Sequence, residues 1–161
     1  MKFLSDSEVI TVAMNLEEEG AKFYEEAAKI SKNKETKDIF SRLKKEEDEH
    51  YKTFKELLET LPGADSKGYF DISEEISAYL NSLVDSGVFK NTPKAGIKQL
   101  GEAAALRIGV NAERDSILFY TQAHIASTNP QGREVLSRII DIEKEHLVTL
   151  TNRLRIARKL F

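Results

Sequence analysis

Two stretches of the chain, EDEH at 47–50 and EKEH at 143–146, each set a glutamate three residues before a histidine. On a helix that spacing brings a carboxylate and an imidazole to one face, where the pair can ligate a metal ion. One such pair is ordinary on a solvated helix. These two stand in apolar company. Phe40, Leu43, Phe54, Leu57 and Leu58 share a helical face, and Glu47 and His50 fall within roughly 40° of Leu43 at about 100° per residue. Leu136, Ile139, Ile142 and Leu150 form the matching stripe around Glu143 and His146. An ionised carboxylate in a core is costly unless a partner compensates it.

The two stretches are copies. Residues 8–60 laid on 104–156 align without a gap, so that NLEEEGAKFYEEAA meets NAERDSILFYTQAH and SRLKKEEDEH meets SRIIDIEKEH. Shared apolar periodicity would match apolar positions. It gives no reason to match Glu17 with Glu113, Tyr24 with Tyr120, Glu47 with Glu143 and His50 with His146, so duplication of one helical hairpin is the better explanation. The repeat also sorts the neighbouring acids. Glu46 meets Ile142 and Glu18 meets Arg114, which leaves Glu46 at the border of the solvated face. Glu19 with Asp115, and Glu49 with Glu145, match but point outward. His124 meets Ala28, lacks a glutamate three residues before it, and is taken as structural or surface.

Glu17, Glu47, Glu113 and Glu143 with His50 and His146 therefore converge in one core. Four carboxylates and two imidazoles need compensating charge, which two divalent or trivalent metal ions supply. Oxygen-rich ligation with one imidazole per ion suits iron, or manganese, more than zinc or copper. Tyr24 and Tyr120 lie two turns after Glu17 and Glu113 on nearly the same face. Their buried phenols need acceptors, and the ligand carboxylates are natural ones.

The elements that must position these residues are long amphipathic helices, since glycine and proline are few and apolar residues recur at three-and-four spacing. A first helix starts after Ser5, where S-D-S-E sets Glu8 in a capping box, and runs to about Lys32. A second spans about Lys34 to Leu61 and stops at Pro62-Gly63. A connection over 62–92 contains one short helix opened by Asp71 and Glu74. Thr92-Pro93 starts a third long helix ending near Ser127, and Asn129-Pro130 starts a fourth that runs nearly to Phe161. The expectation is an all-α chain: one domain over 1–161, a four-helix bundle of two hairpins joined by a long crossover.

Composition removes several function classes. Net charge is −3 with basic and acidic residues interspersed, so no cationic stripe offers itself to nucleic acid or to an anionic membrane. No apolar run is long enough to span a bilayer, and a cytoplasmic location is expected. Cysteine is absent, which leaves no thiol chemistry and no thiolate metal site within the sequence.

The six ligand candidates resemble those of the ferritin-like di-iron carboxylate proteins, and within them the rubrerythrins. EEEGAKFYEEAA and ERDSILFY are similar to that family's first and third long helices, EDEH and EKEH to its second and fourth. The resemblance covers nearly the whole chain. It implies a ferritin-like bundle and two iron ions, with manganese or mixed occupancy as variants. It implies Glu47 and Glu143 as bridges, His50 and His146 as terminal ligands, and Glu17 and Glu113 completing the shell. The activity implied is reduction of hydrogen peroxide to water, with a homodimer as the expected assembly. Rubrerythrins typically append a rubredoxin domain with cysteine-held iron, so a separate electron donor, a rubredoxin or its reductase, is expected here. Their additional exchanging glutamate on the third helix has no counterpart, because Val110 and Ser116 stand one turn from Glu113. The competing expectation is a ferroxidase or iron-storage protein that uses the same site with oxygen. A third is a helical adaptor with a vestigial site.

Overall fold

The computed structural model describes residues 6–60, 73–87 and 99–159. Five helices occupy them: α1 (Asp6–Ile30), α2 (Lys34–Glu59), α3 (Glu74–Ser86), α4 (Glu102–Ala126) and α5 (Pro130–Lys159). Helix α1 pairs with α2 and α4 with α5, making two hairpins. These meet through α1 against α4 and α2 against α5, while α3 lies on α4. The four long helices are the expected hairpin pair, and no strand occurs among the described residues.

Both hairpin turns are fixed by the same device. The Asn33 side-chain oxygen accepts from the Thr36 amide at 3.1 Å, and the Asn129 oxygen accepts from the Gly132 amide at 2.9 Å. Each asparagine satisfies an amide that the first turn of a helix leaves without an intrahelical acceptor. The duplicated asparagine thus sets the same entry of the chain into α2 and α5.

Two starts differ from expectation. Helix α3 begins at Glu74 with Ser73 as its cap, its hydroxyl accepting from the Ile76 amide at 3.3 Å; Asp71 lies outside the described residues. Helix α4 begins at Glu102, well after Pro93. Gly101 precedes it with φ +74°, a left-handed conformation that a side chain would resist, and this breaks the backbone there. Thr92-Pro93 itself lies outside the described residues, as do Ser5 and Pro62-Gly63.

The core divides into two apolar clusters with a polar layer between them. One packs Ile10, Ala13, Phe54, Leu57, Phe119, Leu136 and Ile139 around Tyr120. The other packs Phe23, Ala27, Phe40, Leu43, Leu106, Leu150 and Leu154 around Tyr24. Along each long helix the change from one cluster to the other falls at the ligand candidates. Leu58 and Ile142, assigned to the stripes from sequence, are only half-buried.

A second polar knot ties the end of the bundle. Arg153, 4% exposed, donates through Nε to the Thr36 hydroxyl at 2.6 Å and through Nη1 to Glu35 at 3.0 Å. Thr36 in turn donates to Glu102 at 2.7 Å. Helices α2, α4 and α5 are joined there, and in the repeat Arg153 falls on Leu57 and Thr36 on Gly132.

Candidate metal centre

Glu17 on α1, Glu47 and His50 on α2, Glu113 on α4, and Glu143 and His146 on α5 are all buried, none more than 5% exposed. Fully burying charged groups is rare and costly without compensation. The bundle brings all six together. His50 Nδ1 lies 2.9 Å from Glu143, 3.4 Å from Glu17 and 3.6 Å from Glu47. His146 Nδ1 lies 3.2 Å from Glu143, 3.3 Å from Glu47 and 3.7 Å from Glu113. The two imidazoles lie nearly parallel, 5.8 Å between centroids, and both aim Nδ1 inward.

Two overlapping sets of donors result. Glu17, Glu47, His50 and Glu143 each offer a ligand atom within 4.8 Å of the others, and so do Glu47, Glu113, Glu143 and His146. Glu47 and Glu143 belong to both sets. Glu17 and His50 belong to the first set alone, Glu113 and His146 to the second.

The donors fit such ions by a second observation. Glu47 Oε1, His50 Nδ1 and Glu143 Oε1 are buried without a hydrogen-bond partner. His50 Nδ1 and Glu143 Oε1 are only 2.9 Å apart, yet they do not meet in hydrogen-bonding geometry. Buried polar atoms left this way are exceptional and call for an ion or water between them. Each set offers three carboxylates and one imidazole, and a mainly oxygen set with one nitrogen suits iron or manganese.

Protonation in the metal-free site follows the same geometry. Burial raises the Glu17 and Glu113 carboxyls well above the usual range, and the charges of Glu47 and Glu143 add to this. Burial also opposes ionisation of Glu47 and Glu143, but the neighbouring Glu17 and Glu113 carboxyls and the two nearby imidazoles favour the charged forms and hold both below it. Burial alone would lower His50, yet Glu143, Glu17 and Glu47 around it push it up to about 12. His146 rises for the same reason, burial being overcome by Glu113, Glu143 and Glu47. Two imidazolium ions thus balance two carboxylates, and protons stand in for metal.

The tyrosines cross between halves. Tyr24 donates to Glu113 Oε1 and Tyr120 donates to Glu17 Oε1, each phenol buried. Burial and then the facing glutamate push both phenols up, so they remain protonated donors. Gly109 makes room for one of them. A Cβ there would lie 3.3 Å from Tyr24 Cε1 and 3.1 Å from Leu150 Cδ1.

Glu46 is the residue that the sequence undervalued. Half-buried, it meets His146 Nε2 at 2.8 Å, on the ring edge away from the ligand candidates. A carboxylate there fixes the ring and makes it a stronger donor. Because Ile142 stands at the equivalent position, the repeat counted against it. Its spacing four residues before His50, on a helix facing α5, was the available signal. The other exclusions hold: Glu18, Glu19, Glu49, Arg114 and Glu145 are exposed and Asp115 is half-exposed. His124, partly buried in the last turn of α4, takes no place in either donor set.

No described helix is long and apolar enough to cross a membrane. The family model described as Rubrerythrin matches residues 8–154. Among solved structures, the chain is similar to a ferritin-like diiron-carboxylate protein from Thermotoga maritima, at 26% identity and a TM-score of 0.71. That match covers 96% of this chain and 97% of the other. No curated protein matches the chain.

Proposed function

The chain belongs to the rubrerythrin family, and from that premise we propose that it is a di-iron peroxidase that reduces hydrogen peroxide with electrons from a separate donor. The observation that carries this is the pair of donor sets sharing Glu47 and Glu143, with three of their atoms unpartnered. Glu47 and Glu143 would lie between the ions, Glu17 with His50 would hold one, and Glu113 with His146 the other. Two iron ions held there would supply one electron each and the positive charge that polarises an oxygen–oxygen bond. Manganese would fit the same donors.

The reaction takes one peroxide, two electrons and two protons to two waters. Tyr24 and Tyr120 hold Glu113 and Glu17 in orientation and keep proton-bearing groups beside the site. Leu16, Gly20, Ala112 and Ser116 wall the approach to Glu47, Glu113 and Tyr24 into a cavity of about 10 Å³. That is room for roughly one water-sized molecule, which favours peroxide or oxygen over larger polar substrates. None of the 161 residues is a cysteine, so the electrons are proposed to come from a carrier outside this stretch of chain, such as a rubredoxin or its reductase.

Oxidation of ferrous iron by oxygen is the second reading. Glu46, Glu49 and Glu145 line a surface pocket of about 330 Å³ that also contains His50 and His146, an acidic approach suited to incoming cations. Arg42 and Arg138 share that pocket and oppose it. Anaerobic iron loading followed by stopped-flow mixing with peroxide and, separately, with oxygen distinguishes the two. Faster oxidation by peroxide is expected; a site oxidised by peroxide no faster than by oxygen would reject the peroxidase. The protein is further proposed to act as a homodimer in the cytoplasm, the first of which light scattering checks directly.

A further inference from the structure

A larger cavity of about 160 Å³ lies between α1, α3 and α4. Val12, Leu16, Leu83, Val84, Ala112 and Phe119 give it an apolar wall, with Asn15, Glu19, Asp115 and Ser116 as its polar members. Leu16, Ala112 and Ser116 also line the water-sized cavity that reaches Glu47, Glu113 and Tyr24. A roomy apolar chamber and a narrow polar one therefore share a wall beside the candidate metal centre. Hydrogen peroxide has no use for the first.

We propose that this chamber receives the hydrocarbon part of an organic hydroperoxide, so that the substrate class extends to aryl and compact alkyl hydroperoxides. The inference rests on the peroxidase function and specifies its substrate. The volume limits the size of the occupant, because an apolar cavity of roughly 150 Å³ accepts a benzene-sized molecule. The shared wall decides its orientation. Only the hydroperoxide end fits the narrow chamber, where it meets Glu47, Glu113 and the Tyr24 hydroxyl. The oxygen–oxygen bond breaks with uptake of two electrons from the external one-electron carrier and two protons. The oxygen bonded to carbon leaves as the alcohol, and the terminal oxygen leaves as water.

The chamber is testable without metal. The alcohol product of cumene hydroperoxide, 2-phenyl-2-propanol, should bind the metal-free protein and shift the NMR methyl signals of Val12, Leu83 and Val84. Val84→Phe, which fills the chamber from α3, should abolish the shifts at Val12 and Leu83, while Val84→Ala should retain them and serve as the folded control. In the iron-loaded protein Val84→Phe should lower kcat/KM for cumene hydroperoxide by about tenfold or more, the loss expected when an apolar pocket no longer accepts its group. Hydrogen peroxide turnover should stay within about twofold, since a water-sized substrate gains nothing from an apolar pocket. Absence of binding at these methyls overturns the inference, as does binding with no effect of Val84→Phe on cumene hydroperoxide turnover. Failure to reduce either peroxide rejects the peroxidase itself, whereas reduction of hydrogen peroxide alone rejects only the extended substrate class.

Discussion

Tyr24 donates its phenolic proton to Glu113 across the interface between the two hairpins, from the first half of the repeat to the second. Tyr120 returns the contact to Glu17. Each half of the chain thus orients a ligand candidate of the other, and neither hairpin alone holds a complete site. Tyr24→Phe should cost about 1–2 kcal/mol of metal-free stability by leaving a buried carboxyl without its donor. Metal stoichiometry should persist while peroxide turnover slows. A thermal melt with metal analysis checks the first two, and an unchanged melting temperature would show that the hydrogen bond contributes nothing.

Removing a shared carboxylate should differ from removing a terminal one. Glu47→Ala or Glu143→Ala takes a donor from both sets and should leave less than one ion bound per chain, whereas Glu17→Ala should retain the Glu113 and His146 side. Elemental analysis after anaerobic loading measures this. Full metal content in Glu47→Ala would instead indicate an adaptor with a vestigial site.

Glu46 makes the two sides unequal, because Ile142 occupies its equivalent near His50. Glu46→Gln keeps a partner for His146 Nε2 but removes the charge. Affinity for one of the two ions should fall about 10- to 100-fold, the usual effect of losing a group that supports a ligating histidine. A titration that splits from one apparent step into two would display it; an unaltered curve would show that Glu46 only decorates the rim.

Metal uptake should release protons. Burial raises the Glu17 and Glu113 carboxyls and the surrounding carboxylates raise both imidazoles, so binding of two divalent ions should expel protons, up to about four if all four groups carry one. Because the surrounding carboxylates push the His50 imidazole up to about 12, protons compete throughout the ordinary range. Raising pH removes the competitor, so apparent affinity should increase steadily between roughly pH 6 and 9. Calorimetry in buffers of different ionisation enthalpy counts the protons, and a count near zero would contradict this protonation pattern.

Arg153→Met should destabilise the bundle by about 1–3 kcal/mol, since it removes the donor to the Thr36 oxygen and the ion pair with the partly buried Glu102. Glu35 is largely exposed, and its pairing with Arg153 contributes little of that. Chemical denaturation measures it, and metal binding should be unaffected because the knot lies outside both donor sets.

The helical architecture and the six ligand candidates were legible because they are periodic and because they occur twice. Helical spacing alone told inward Glu47 and His50 from outward Asp48 and Glu49, and the second copy removed coincidence. What the repeat could not reveal was whatever departs from it. Glu46 has no matching acid in the second copy, and Arg153 and Thr36 have no matching polar residues. The start of α4 was misplaced because Thr92-Pro93 carries a strong local capping signal, while the break at Gly101 shows only in its backbone angle.

By itself, then, the sequence determined which side chains face inward, since that depends on position along a helix and on nothing farther away. Tertiary structure decided which of them meet. The crossing of Tyr24 to Glu113 and Tyr120 to Glu17, the sharing of Glu47 and Glu143 between two donor sets, and the apolar chamber behind Ala112 and Ser116 all depend on how α1 sits against α4 and α2 against α5. Those placements follow from side-chain packing across the bundle, which no periodicity along one helix encodes.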